Sequence, residues 1–332
     1  MSRVGGPFFE DLEVGQTFAG APAVTLTAGH AVVHQAILGD RLRLALDAEL
    51  SGRVLGTPGT LAHPGLVCDV AIGQSTLATQ RVIANLFYRG LVLYRAPLIG
   101  DTLHTTSEVV ALRQNRPRPG RAATGLAALR IRTVDQERRA VLDFVRCAML
   151  PLRDPDGVTG RDDELDAISS ELDLRAATAM LADWRLDELR ASTDGPQLAD
   201  LSEGTTWELE GGDVVSGAPE LARMTLNVAM AHHDASANGS GRRLVYGGHT
   251  IGIAASQVNR VLPDLVTIVA WHSCDHLAPV FEDDTLRSSV EVERVEPLAA
   301  GGGLVHLRSR VRAEGVAGAN DVLDWRLVAV MA

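Results

Sequence analysis

Two short segments near residue 230 carry the side chains best suited to chemistry. In T-L-N-V-A-M-A-H-H-D an amide, Asn227, and an imidazole, His232, stand five positions apart. In G-R-R-L-V-Y-G-G-H-T the glycines Gly247 and Gly248 directly precede an apolar run that reads as a helix. A histidine of near-neutral pKa can take a proton from water and return it. An asparagine can orient water but cannot accept a proton as a carboxylate would. Backbone N–H groups at a helix start are unpaired and favoured by the helix dipole, so a glycine turn there can bind an oxyanion. Water activation beside an oxyanion site points to chemistry on an acyl thioester.

Around this pair stand further candidates. Arg242 and Arg243 precede the glycine turn and could grip a carboxylate or a phosphate bidentately, or form a solvated loop pair. Tyr246 could donate a hydrogen bond to substrate or simply pack. His233 and Asp234 could assist His232 if they face the same space. In W-H-S-C-D-H (Trp271 to His276), strand alternation would set His272, Cys274 and His276 on one face. His276 is taken as a substrate-binding candidate, and no metal site is expected from this cluster.

Weaker echoes of these segments occur in the first half, in the same order and at a nearly constant offset. V-G-Q-T-F (Val14 to Phe18) answers E-G-T-T-W (Glu203 to Trp207). L-G-D-R-L-R-L-A-L-D (Leu38 to Asp47) answers T-L-N-V-A-M-A-H-H-D, and L-A-H-P-G-L-V (Leu61 to Val67) answers V-Y-G-G-H-T-I. A-P-L-I-G-D-T-L and A-P-V-F-E-D-D-T-L each precede an alternating strand pattern. The chain therefore reads as a duplication.

Each half reads as a short strand, a polar segment, a helix and several strands of period two. The helices are expected at about Pro64 to Thr79 and Gly248 to Val261. A central helix wrapped by an antiparallel sheet is an α+β arrangement. The expected organisation is a first unit over 1–152, an acidic linker with helix over 153–195, and a second unit over 196–332.

At 332 residues the chain can bury two ordinary cores. Its 46% hydrophobic and 22% charged residues suit a globular protein, and its 4% aromatics leave the core to Val, Leu, Ile and Ala. Every basic residue is arginine, which reflects codon bias more simply than function. The net charge of −11 argues against nucleic-acid binding but allows a local arginine to hold an anion. Cys68, Cys147 and Cys274 lack C-x-x-C spacing and read as reduced core thiols of a cytoplasmic protein. No signal peptide or membrane span is expected.

These segments resemble the MaoC-like hydratases and dehydratases in their tandem double-hotdog form, and most of all their mesaconyl-CoA (2-methylfumaryl-CoA) hydratase branch. The likeness runs from F-F-E-D-L-E-V-G-Q through G-D-T-L-H-T-T-S-E-V-V-A-L-R-Q-N to G-R-R-L-V-Y-G-G-H, nearly the whole chain. The family's run G-D-x-N-P-L-H-x-D supplies an Asp–His dyad that activates water. Here Asp40 matches the Asp in the first half, but Ala45 stands where the His belongs. In the second half His232 matches the His and Asp234 the trailing acid, while Asn227 replaces the Asp, as the mesaconyl-CoA hydratase branch also does.

The resemblance implies a hydro-lyase acting on a 2-enoyl-CoA, short and branched or dicarboxylic, with mesaconyl-CoA to β-methylmalyl-CoA as the named pair. It assigns His232, Asn227 and Gly248 to catalysis and Gly247, Arg242, Arg243, Tyr246, His276 and Asp234 to the substrate. No cofactor beyond the CoA thioester substrate is implied, and a homodimer is. Asp40 and His63 read as relics of a degenerate first half that helps form the acyl-CoA groove. A non-catalytic acyl-CoA binding protein and a hotdog thioesterase are the other readings, the latter disfavoured by the absence of an acid at the helix start G-G-H-T-I-G-I-A.

Overall fold

A computed structural model describes residues 4–193, 195–237, 241–299, 301–316 and 318–332. The first half opens with short strands β1 (Thr17–Phe18) and β2 (Val24–Thr25) and helices α1 (Ala28–Leu38), α2 (Arg43–Leu46) and α3 (Ala48–Leu55). Helix α4 (Pro64–Gln74) and four long strands follow: β3 (Ala84–Leu93), β4 (Thr102–Gln114), β5 (Thr124–Val134) and β6 (Ala140–Pro151). Short helices α5 (Arg175–Met180) and α6 (Leu186–Arg190) fall in the connecting segment. The second half repeats the plan with β7 (Thr206–Glu208), β8 (Asp213–Val214), α7 (Ala218–Met224) and α8 (Gly247–Val261). It closes with β9 (Leu265–His276), β10 (Thr285–Pro297), β11 (Gly303–Gly315) and β12 (Gly318–Met331).

The long strands form one antiparallel sheet in the order β1-β4-β5-β6-β3-β9-β12-β11-β10-β7. The halves join where β3 pairs with β9, Tyr88 opposite Cys274 and Leu91 opposite Trp271. Both α4 and α8 are buried along nearly their whole length, as their apolar composition requires. Pro64 starts α4 at the position where a missing N–H costs nothing, and Pro263 lies just past the end of α8. The buried residues of both halves merge into one contiguous core that includes Leu66 and Val70 of α4 and Ile253 and Val258 of α8. The fold is α+β, and no helix among the described residues is long and apolar enough to cross a membrane.

Each half reaches into the other. The segment after α7 lies on the C-terminal end of α4, where Val228 N–H donates to Thr76 Oγ1 (3.0 Å). Gly73 is required there, because any Cβ would collide with the Thr225 carbonyl. Reciprocally, Ser256 Oγ of α8 donates to Gly39 O (2.7 Å) and Asn259 Nδ2 donates to Asp40 Oδ1 (3.0 Å). The helix expected over Pro64 to Thr79 is α-helical to Gln74 and continues as 3-10 turns over Ser75–Thr79, where the Ser75 and Thr76 hydroxyls bond back to Ile72 and Gly73 carbonyls.

Candidate functional site

A cavity of about 270 Å³ lies at the N-terminal end of α8, against β3, β6 and the end of β9. Asn227, His232, Tyr246, Gly247 and His276 line it, so residues spread over fifty positions meet in one wall.

His232 is buried, and its Nδ1–H donates to the Leu244 carbonyl (2.8 Å). That bond fixes the tautomer and leaves Nε2 with a free lone pair. Burial holds the ring at a pKa of about 4, with His233 and Arg146 adding to the depression against the Leu244 bond. The imidazole is therefore neutral at pH 7 and able to accept a proton. The ring of Tyr246 stands edge-on to it, centroids 5.8 Å apart.

Asn227 explains its own amide. Its Oδ1 accepts the Ala229 N–H (2.9 Å), while the buried Nδ2 has no partner. The group presents a donor, not an acceptor, to what enters. His233 does not join it as a second base: its Nε2–H donates to the Asn227 backbone carbonyl (2.6 Å) and pins the loop.

The first turn of α8 has no side-chain cap, and the N–H groups of Gly247 and Gly248 have no partner among the described residues. A Cβ at Gly248 would collide with the Asp69 carboxylate and the Tyr246 ring, and one at Gly247 would come within 2.7 Å of His276 Nε2. Gly247 thus leaves the backbone open beside His276, while Gly248 lets the helix start pack against Asp69 and Tyr246. His276 packs edge-on to Tyr88 (5.8 Å), its Nε2 is buried without a partner, and burial lowers its pKa to about 4. The Tyr246 hydroxyl is committed to Asp69 Oδ1 (3.0 Å), and Asp69 Oδ2 faces His34 Nε2 (3.3 Å).

Several expected residues lie elsewhere. Arg243 is ion-paired with Glu282, and Arg242 stacks over the Phe281 ring (4.1 Å) beside Glu282 O and Asp284; neither lines the cavity. Loop acids compete for them, which sequence spacing cannot reveal. Asp234 is exposed and accepts the Ser236 N–H and hydroxyl (2.8 Å each), closing its own turn. Gly248 sits behind Gly247 against Asp69 and does not itself line the cavity. The expected shared face of β9 is broken by a bulge: both neighbouring strands skip His272 in the pairing, so His276 enters the cavity while His272 bonds to His306 Nδ1 (3.0 Å) outside it. No group of three His, Cys, Asp or Glu residues that could hold a metal occurs among the described residues.

Sequence reasoning passed over Arg146 and Asp69. Arg146 stands on β6 in phase with Phe144, Ala148 and Leu150, a charge on the inward side of an apolar strand. Asp69 is the lone acid within the apolar run of α4. Both were legible as charges at core positions.

Comparison with known proteins places this geometry. No protein-family model matches the sequence. The chain is 29% identical over 321 residues to a mesaconyl-CoA hydratase of Cereibacter sphaeroides, covering 93% of this chain and 90% of that protein. A conserved hypothetical protein of Mycobacterium tuberculosis, described as essential for bacterial survival during infection and as a double hotdog, is 52% identical and superposes with a TM-score of 0.92 over 100% of both chains. A structure described as a MaoC domain protein dehydratase of Chloroflexus aurantiacus is 25% identical, with a TM-score of 0.84 over 100% of this chain and 99% of that one. The chain is similar in sequence and fold to the MaoC-like hydratases and dehydratases. Its fold is the double hotdog, with α4 and α8 as the two central helices. Its named relatives, a mesaconyl-CoA hydratase and a β-methylmalyl-CoA dehydratase, support a lyase of the hydratase/dehydratase class.

Proposed function

We propose that the protein adds water reversibly across the 2,3 double bond of a short enoyl-CoA, with mesaconyl-CoA and β-methylmalyl-CoA as the substrate–product pair. The observation that carries this reading is the neutral His232, with a free Nε2, in the same cavity wall as the uncapped start of α8. The similarity to a mesaconyl-CoA hydratase over most of both chains supports the acyl group.

In this reading the thioester oxygen sits at the Gly247 N–H at the start of α8, where negative charge develops as water adds. His232 Nε2 takes one water proton while the oxygen bonds to C3 and the double-bond electrons move to the thioester oxygen. The imidazolium then returns a proton to C2, and the enolate collapses to the product. Asn227 Nδ2 donates to the water oxygen and turns its proton toward His232. His276, held neutral, supplies one further hydrogen bond beside Gly247.

Loss of the enoyl-thioester absorbance with mesaconyl-CoA, measured beside crotonyl-CoA, tests the proposal. Turnover that His232→Ala abolishes is the expected result. Turnover that survives His232→Ala removes the assigned base, and binding of CoA esters without turnover of either substrate overturns the hydratase reading.

A further inference from the structure

Among the described residues the cavity contains one permanently charged side chain. Its other polar lining groups are amides, hydroxyls and two imidazoles, His232 and His276, that burial keeps neutral at pH 7. Arg146 is the exception. It reaches in from β6 of the first half and is only 3% exposed.

Its hydrogen-bond inventory is incomplete. One terminal nitrogen donates to Thr79 Oγ1 (2.7 Å) and Ser75 O (3.3 Å), and the other makes a long contact to Asn85 Oδ1 (3.4 Å). Nε is buried with no partner. A guanidinium has five N–H donors, so at least two are unspent. No carboxylate lies within ion-pairing distance among the described residues, and the ionisable groups that act on it are Tyr88, Tyr246 and Cys147. Elsewhere the chain pairs its arginines readily: Arg89 holds Asp275, Arg308 holds Asp324, and Arg130 holds Asp143. A desolvated cation facing only neutral oxygens is costly, and the missing term is an anion.

We propose that Arg146 binds a free carboxylate on the acyl group, making the enzyme selective for enoyl-CoA substrates that carry a second acid. This rests on the hydratase reading for its substrate class, but the recognition itself is a binding property. The alternative anion, a CoA phosphate, is separated from the thioester by the whole pantetheine arm, more than a cavity of this size spans. The thioester oxygen is already served by the start of α8. Placing the cation in the first half and the base in the second also gives the duplication a use: one half anchors the acid end of the acyl chain while the other works on its double bond.

Saturated esters separate recognition from turnover. Succinyl-CoA and butyryl-CoA share four acyl carbons and the CoA moiety, differ in the terminal carboxylate, and cannot be hydrated. Titration calorimetry on the full-length protein should give at least tenfold tighter binding of succinyl-CoA. Arg146→Gln should bring that ratio near one, and Arg146→Lys should leave an intermediate ratio, because a point charge lacks the fork. A wild-type ratio near one, or a preference that survives Arg146→Gln, overturns the proposal. Equal loss of both esters in Arg146→Gln also overturns it, because Arg146 then serves the CoA phosphates or the fold. If Arg146→Gln does not fold, the wild-type ratio and Arg146→Lys still decide. Since neither ester reacts, failure of mesaconyl-CoA hydration would sink the catalytic reading without touching this result.

Discussion

The N-termini of α4 and α8 occupy matching places in the duplicated plan, and they are finished in opposite ways. At α4 the His63 side chain caps the helix, its Nδ1 accepting the Gly65 N–H (3.0 Å). Its Nε2 meets Asp40 Oδ1 (2.9 Å), and its ring lies 5.4 Å from that of His34. Asp40 takes further hydrogen bonds from Leu42 N–H and Asn259. Burial alone would raise its pKa, but the His63 pairing, together with His34 and the Leu42 N–H, outweighs this and holds the carboxyl below its ordinary value. At α8 the corresponding position is Gly247, no side chain caps the helix, and the cavity opens there. The same two features that make an oxyanion site, a free helix start and an open approach, are consumed at α4 by one imidazole. Asp40 is thus more than a leftover: its carboxylate holds Nε2 of the imidazole that plugs the first half.

The largest test of this contrast sets His232→Ala against His63→Ala in the absorbance assay. The first should lower kcat/KM by about 10³, the scale of a lost general base. The second should leave turnover within a few-fold in whatever fraction folds, and comparable losses would erase the distinction between the two ends.

Stability should show the reverse order. His63→Ala strands a buried carboxylate and should cost about 3 kcal/mol in urea unfolding. Adding Asp40→Asn should recover part of that loss. Simple additivity of the two changes would mean the pair is not coupled.

Glycine substitution sharpens the comparison further. Gly248→Ala drives a Cβ into Asp69 and Tyr246, whereas at Gly65 the nearest atom is His63 Nδ1 at 2.9 Å, on a ring that can turn. Gly248→Ala should therefore lower both activity and melting temperature more than Gly65→Ala does. Equal shifts would show that the two turns are equally crowded.

A further effect lies in pH. His232, His249 and His276 are held near 4 by burial, below the unfolded value of 6.5. The unfolded chain thus binds more protons between these values, so stability is full above about 6.5 and falls as pH drops toward 4. Urea midpoints at pH 7 and pH 5 should differ accordingly, while kcat/KM stays level down to about pH 5 because the base remains neutral. An activity that falls through pH 6.5 would place His232 in a wetter site.

The sequence by itself determined the duplication, the α+β class, the two central helices and four residues of the cavity wall, Asn227, His232, Tyr246 and Gly247. Those inferences rest on spacing of 2, 3.6 or five positions within a continuous segment, where local geometry decides which groups can meet. His276 was reached from alternation, although the bulge at His272 broke the face it was read from. Only the tertiary structure decided that Arg242 and Arg243 are spent on loop acids, that Asp234 serves its own turn, and that a cation from β6 stands in the cavity instead. The physical reason is that each depends on a partner far away in the chain. Glu282 and Asp284 take one pair of arginines out of play, and no acid among the described residues reaches the Arg146 guanidinium. Likewise His63 at a helix start reads as a ligand or a plug only once Asp40 is seen beside it.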